Sequence, residues 1–568
     1  MIQPQQAEAS HAPRSRSLQP FRLTDVPLYR FDVLILGGGA AGACAALAAA
    51  DAGATVGMVS KCDLTESNTR YAQGGVAAVM EAPDTPQAHL EDTCAVGCGL
   101  SIPRVVEAVV EGGPAAIERL VGWGARLDAH EDGRLQLSRE GGHSHPRVLH
   151  AGGDATGREL QRAISLRVAE HPGISCFERM FAIDLLREDD GRACGALAQS
   201  EAGELVGFTA GQVVLATGGA GQLYRETTNP VIATGDGVAL AFRAGATLRD
   251  LEFFQFHPTC LYIAGAARVL ISEIVRGAGG RLRDRNGIRF MPEYHTDAEL
   301  APRDAVSRAV FERMVQTGDT SVYLDLSEVD GDPHRLFPSI ASTCMLFGID
   351  IARDPIPVRP GLHYMIGGVQ VDLDGRTDVP GLWAVGECAS TGLHGANRMG
   401  SNSLLEGLVL GDRLGRAAAA DPYDVRRGAI VEPTGPTRVG GDAPVSVNIQ
   451  DVTYSLKSLM WRQMGVIRDA ANLRDALPKI ELWTRAVASL APGGRATWEL
   501  LNMLEVARLS VLGALARTES RGVHFRSDFP QPDAALQVHS LLRAEGDRDQ
   551  IHATDLRHDA VEGPVEAA

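Results

Sequence analysis

The chain has 568 residues, 45% of them hydrophobic and 22% charged, a globular composition too long for one core, so two to four domains are expected. Its net charge of −17 and low aromatic content (5%) give a surface that repels phosphate backbones and anionic lipid and offers few stacking platforms. Nucleic acid and membrane are therefore not expected partners, and an anionic substrate would need a local positive pocket.

The segment before Phe31 reads as a disordered arm without the apolar stretch of a secretory signal. Phe31–Leu36 is a short buried strand running into glycines. Ala40–Ala52 is an alanine-rich helix, and Ala54–Ser60 a second strand, so a βαβ unit with a parallel sheet is expected. Gln212–Ala216 is a further buried strand, followed by a helix over Asp236–Ala244. The stretch from Leu251 to Gly361 mixes Pro, Arg, His and acids and reads as an inserted domain. Gly381–Gly386 returns to the strand–glycine style of the first unit. A Pro- and Gly-rich linker over Pro422–Gly441 precedes three or four amphipathic helices separated by turns such as Pro492-Gly493-Gly494. The last ~30 residues are polar and acidic and are expected to be loose.

The nine cysteines are scattered, and Cys94 and Cys98 have no matching second pair, so neither a disulfide framework nor a metal site is expected. Reduced thiols suit a cytoplasmic protein. No run reaches the ~18 apolar residues of a membrane span. His143, His145 and His150 lack a supporting cluster of acids or cysteines and are assigned hydrogen-bonding roles.

Gly37, Gly39 and Gly42, with Ala40 and Ala41 between, form G-x-G-x-x-G between strand and helix. Gly37 permits the turn, Gly39 lets a pyrophosphate approach, and Gly42 lets helix and strand pack closely. An acid expected at the end of the second strand of an NAD site is replaced by Ser60-Lys61, a departure from the NAD pattern.

Longer motifs then converge. The segment Ser67-Asn68-Thr69, continuing to Gln73-Gly74-Gly75, resembles the flavin-contacting segment of the fumarate reductase/succinate dehydrogenase flavoprotein family. Thr217-Gly218 and Gly235-Asp236 look like further flavin contacts. Glu387 and the run Asn402-Ser403-Leu404, within LHGANRMGSNSLL, resemble the C-terminal flavin segment. EFFQFHPT, LAPRD and HYMIGG are similar to substrate segments, and TESRGVHF to the helical domain. The resemblance implies an α/β Rossmann-like FAD-binding domain with an inserted α+β capping domain and a C-terminal helical domain. The expected boundaries are an arm at 1–28, an FAD-binding domain at 29–250 and 363–422, a cap at 251–362, helices at 440–535 and a loose acidic tail at 536–568.

Within the family, the segment SREGGHSH with Glu140 is similar to the branch that oxidises L-aspartate. That branch converts L-aspartate to iminoaspartate and reoxidises FAD with oxygen, giving hydrogen peroxide, or with fumarate, giving succinate. Its product feeds quinolinate and NAD synthesis, which makes quinolinate synthase a candidate functional partner. By the resemblance Arg303, Arg398, His257 and His363 hold the dicarboxylate, Ser272 and Glu273 add polar contacts, and Arg303 is the proton donor to fumarate. Glu140 would face the substrate ammonium, which succinate and fumarate lack. Asn68 stands where the respiratory enzymes carry a flavin-bonded histidine, implying non-covalent FAD. Two other readings stay open: a soluble fumarate reductase or succinate dehydrogenase flavoprotein, and a flavin-binding scaffold without turnover.

Overall fold

The computed structural model describes residues 17–266, 268–432, 447–490, 493–544 and 557–560. The strand Leu28–Leu36 is buried only over its last four residues, where VLIL meets the glycine loop. It pairs in parallel with Val56–Val59 on one side and with Leu205–Leu215 on the other, and Leu382–Ala384 adds in parallel to Leu205–Leu215. It begins earlier than its apolar run because residues 28–31 also pair, with 207–210. The expected parallel sheet is corrected to a mixed one. Met180–Arg187, Ala193–Ser200 and Leu205–Leu215 pair in that order, each antiparallel to the next. Short turns suffice to join them, whereas parallel neighbours require a crossover.

The alanine-rich helix Ala40–Asp51 is buried along most of its length. It packs on the helix Asn402–Ala419, whose Gly407, Gly411 and Gly415 recur every four residues and so share one face. A Cβ at Gly411 would stand 2.6 Å from the Ala41 carbonyl oxygen, and one at Gly415 would overlap that of Ala45. Small residues thus let two helices approach closely, although residues 52–401 of the chain separate them in sequence. Their N-termini open on the same cavity.

Between residues 254 and 365 lies a five-stranded antiparallel sheet ordered Val269–Leu270, Phe254–Leu261, Ile356–Met365, Val322–Asp325, Arg281–Arg283. It has its own apolar core, built on Leu282, Phe290, Val306, Val310, Leu324 and Val358. The helix Arg303–Thr317 packs over it and ends on Gly318 at φ +63°.

Three further helices, Ile449–Gln463, Ala470–Ala488 and Arg495–Ala516, pack on the first unit, the last against Asp236–Ala244. Among the described residues no helix is long and apolar enough to cross a membrane.

Two expectations of loose chain are corrected. Residues 17–28 do not all belong to a disordered arm: Ser17 Oγ and the Leu18 N–H donate to the buried Asp184 carboxylate at 2.7 and 2.6 Å, and Leu23 is buried. Residues 1–16 lie outside the described residues. In the acidic tail, Val538–Leu542 forms a strand against Leu248–Arg249. His539 bonds Asp250 at 2.6 Å and Ser540 donates to Glu252 at 2.7 Å, so polar residues that suggest solvated chain instead satisfy buried acids. Residues 433–441 of the expected linker, and Pro492 of the expected turn, lie outside the described residues.

Candidate functional site

A cavity with about 1500 Å3 of space, part of it open to solvent, lies at the C-terminal edge of the first sheet. The glycine loop forms one wall. Gly37 takes φ +119°, and a Cβ there would overlap the Ala216 carbonyl. At Gly39 the nearest atoms to a Cβ are Thr69 Oγ1 at 3.6 Å and Ser67 Cβ at 3.8 Å, so its open side is cavity. Gly42 lies off the lining; a Cβ there would stand 2.8 Å from the Ala216 Cβ, which is the helix–strand contact that requires glycine. At neither Ala40–Asp51 nor Asn402–Ala419 does the N-cap residue's own side chain cap the helix, although Thr69 Oγ1 accepts from the Ala40 N–H at 3.2 Å, and Ala40, Ala41, Ser403 and Leu404 line the cavity. Two positive helix ends therefore face it.

Ser60, Lys61, Ser67, Asn68, Thr69, Thr217, Gly218, Asp236 and Glu387 complete the predicted lining. Lys61 Nζ donates to Asp236 and Thr234, both at 2.6 Å, and to Glu499 at 3.1 Å, which ties the long helix Arg495–Ala516 to the cavity edge. Gly235, at φ +77°, starts the Asp236 helix without lining the cavity. Asn402 turns its amide away, to His89 and Thr93. Gln73, Gly74 and Gly75 also lie off the lining, and Gly74 borders Glu140 and Ser401 instead.

FAD fits these residues. The glycine cradle and the two helix N-termini suit its pyrophosphate and ring anion sites. Asn68 Oδ1 is buried with no partner, although its amide N–H donates to Glu387 Oε2 at 2.9 Å. Glu387 accepts from Asn68 and from the Met365 N–H at 3.0 Å, which places an acceptor for a ribityl hydroxyl at the cavity wall, although burial pushes its carboxyl above the usual range.

The cavity ends at a cluster of charged side chains. His257 and His363 come from the paired strands Phe254–Leu261 and Ile356–Met365. Gln255 opposes Tyr364 and Phe256 opposes Leu362, so His363 is the extra residue of a bulge, which re-aims its side chain. The two rings meet edge to face at 5.4 Å. Burial and the arginines push both imidazoles well below their usual range, so both are neutral. The Thr259 N–H donates to His257 Nδ1, which leaves the ring proton on Nε2. Thr228 Oγ1 bonds His363 Nδ1 at 3.0 Å.

Arg303, in the first turn of its helix, donates from Nε to Glu273 Oε1 at 2.9 Å. Arg276 Nη2 donates to the same oxygen at 2.9 Å, so one carboxylate bridges two guanidiniums. They hold Glu273 down to about 2 against the cost of burial. Glu273 therefore holds an arginine, a different placement from a direct substrate contact. Ser272, which precedes it, is buried. Arg398 donates to Ser403 Oγ at 2.7 Å and lies over the Tyr364 ring; burial and Arg303 push it down to about 10.

Glu140 lies on the hairpin between Leu137–Ser138 and Val148–Leu149. Its Oε2 accepts from Ser401 Oγ at 2.7 Å. Its neighbours Arg139 and Arg147 are engaged elsewhere, with the His143 carbonyl and with Asp84 and Asp92. A Cβ at Gly400 would lie 3.1 Å from both Arg303 Nη2 and Glu140 Oε2. Glycine thus keeps the space between an anion and a cation open.

Three participants escape the sequence reading. Gln255 Oε1 accepts from Arg303 at 3.0 Å and Arg398 at 3.3 Å. It sits two residues before His257, and strand alternation could have placed both on one face. Arg276 and Ser401 are legible only through their partners. His143 and His150 bond the Gly400 carbonyl and Ser138. Among the described residues no group of three His, Cys, Asp or Glu is placed to hold a metal.

The FAD binding domain family model matches residues 32–404, and the fumarate reductase flavoprotein C-terminal model matches residues 453–566. The L-aspartate oxidase of Streptomyces coelicolor is 41% identical, over 92% of this chain and 93% of that protein. That of Mycobacterium bovis is 44% identical, over 92% of this chain and 96% of that protein. The chain belongs to the L-aspartate oxidase family of FAD-binding flavoproteins. An E. coli quinol fumarate reductase structure superposes on this member of the L-aspartate oxidase family with TM-score 0.87 at 32% identity, covering 95% of this chain and 98% of that one. The likeness spans both family models, so the cavity and the charged cluster lie within the shared fold.

Proposed function

We infer that the chain oxidises L-aspartate to iminoaspartate, the entry step to NAD synthesis through quinolinate, and passes the electrons to oxygen or to fumarate. The observation that carries this reading is the Glu140 carboxylate, held by Ser401 beside Arg303 within a cluster otherwise suited to a dicarboxylate. A dicarboxylate without an amine would leave that charge unpaired, whereas aspartate supplies an ammonium.

Arg303 and Arg398 bind the two carboxylates, where planar guanidiniums offer paired N–H donors. His257 and His363, being neutral, donate without adding charge. Glu140 orients the amine so that Cα faces the cavity. When bound, FAD supplies the acceptor for the hydride leaving Cα, and the helix end at Ser403-Leu404 favours negative charge nearby. FAD is held non-covalently, since the Asn68 amide cannot form the bond a histidine forms.

For fumarate, Arg303 donates a proton to the carbon opposite the hydride. Glu273, bonded to Arg303 and to Arg276, is the anion that holds Arg303 in place for that step. The protein acts in the cytoplasm, with small molecules as its partners and quinolinate synthase as the consumer of its product.

The test is product analysis. Purified protein given L-aspartate in air should consume oxygen and release hydrogen peroxide, and given L-aspartate and fumarate anaerobically should form succinate. Absence of both would refute the reading.

A further inference from the structure

Glu140 is the end of a longer construction on the opposite side of its hairpin. Arg147, fully buried, is clasped by Asp84 through Nε (2.8 Å) and Nη2 (2.7 Å), and by Asp92 through Nη1 (2.6 Å). Asp92 also accepts from the Ser144 N–H and hydroxyl at 2.8 and 2.7 Å. Both acids flank or belong to the helix Pro86–Val96, so the hairpin tip is anchored to a rigid element.

Arg147 Nη1 lies 3.3 Å from His143 Nδ1. A guanidinium only donates, so Nδ1 accepts and the ring proton sits on Nε2. That Nε2–H then donates to the Gly400 carbonyl at 3.1 Å. Burial, with His89 and Arg147 nearby, pushes His143 down to about 4, so the ring stays neutral and the tautomer fixed. Gly400 is followed by Ser401, whose hydroxyl donates to Glu140, and the His143 N–H donates to the Glu140 carbonyl at 3.2 Å. The result is a closed ring, Glu140 to His143 along the hairpin and Gly400 to Ser401 along the loop, with His143 and Ser401 as its two side-chain cross-links.

We propose that His143 is the positioning residue that holds the Glu140 hairpin to Gly400 and Ser401, and thereby sets the preference for a dicarboxylate that carries an amine. The proposal rests on the reading of Glu140 as the partner of the substrate ammonium. Arg398 has independent holds: the Gln255 amide donates to its carbonyl at 2.7 Å, and its guanidinium bonds Ser403 and lies over Tyr364. Release of the His143 bond therefore frees Glu140 while leaving the carboxylate-binding arginines in place. A merely structural histidine would affect both substrates alike.

The experiment uses the full FAD-loaded chain as wild type, Glu140→Gln, His143→Leu and His143→Gln. In each, kcat/KM is measured for L-aspartate with oxygen and for fumarate with dithionite-reduced methyl viologen, and the ratio of the two is compared. His143→Leu should lower the aspartate-to-fumarate ratio about tenfold, through the KM for aspartate, as expected for one lost hydrogen bond that orients a charge. His143→Gln, whose amide N–H reaches the place of Nε2–H, should restore the ratio to within about threefold. A ratio unchanged in His143→Leu but lowered in Glu140→Gln overturns the proposal alone. A ratio unchanged in Glu140→Gln overturns the reading of Glu140 and the proposal with it. Should His143→Leu not fold, His143→Ala takes its place: a roughly tenfold fall in the ratio that His143→Gln restores supports the proposal, and an unchanged ratio overturns it.

Discussion

Gln255 holds Arg398 at both ends, donating its amide N–H to the arginine carbonyl at 2.7 Å and accepting from the guanidinium at 3.3 Å. The same amide oxygen accepts from Arg303, so one neutral group keeps two like charges close enough to share a dicarboxylate. Gln255→Met preserves volume and removes these bonds. Hydrogen bonds to charged groups contribute about 1.5–3 kcal/mol, so succinate binding should weaken about 10- to 100-fold with FAD still bound. Titration of the oxidised flavin spectrum with succinate checks this; an affinity within a factor of two of wild type would contradict it.

Glu273 is the anion between Arg303 and Arg276. Its folded-state value near 2 lies below the ordinary 4.5, so its contribution is fully present above pH 4.5 and is lost as pH falls towards 2. Glu273→Gln should lower stability by about 3 kcal/mol near neutrality, because it strands two buried cations. The gap in Tm between wild type and variant should stay constant above pH 5 and shrink below it. A gap that widens on acidification would contradict the assignment.

His257 and His363 are held neutral. Succinate affinity should therefore stay level between pH 5.5 and 7.5, where an ordinary imidazole titrates near about 6.5. Tighter binding by about tenfold at the acidic end would show that one of the rings gains a proton and charge.

Gly39 borders the open cradle at ordinary contact distance from Thr69 and Ser67. Gly39→Val should fold yet lose FAD affinity by at least about tenfold, since the added methyls occupy the phosphate path. Quenching of flavin fluorescence on reconstitution measures it.

The parts legible in the sequence are those fixed by local rules. Strand, glycine loop and helix over 31–52 follow from adjacent residues, and the helix Asp236–Ala244 appears with its expected bounds. Arg303 and Arg398 were findable because each sits in a distinctive segment. Gln255 and Ser401 were not, because their partners lie far along the chain, such as Glu140 for Ser401; Arg276 has Glu273 nearby, but its role shows only when Arg303 joins the same carboxylate. The strand at Val538–Leu542 escaped for the same reason: His539 and Ser540 look solvated until Asp250 and Glu252 are placed beside them.

The central claim is that this site takes its electrons from an amino dicarboxylate. The direct measurement is anaerobic absorbance of the yellow protein mixed with L-aspartate and, separately, with succinate. Bleaching of the flavin by L-aspartate and none by succinate is the predicted result. Bleaching by succinate with none by L-aspartate would contradict it.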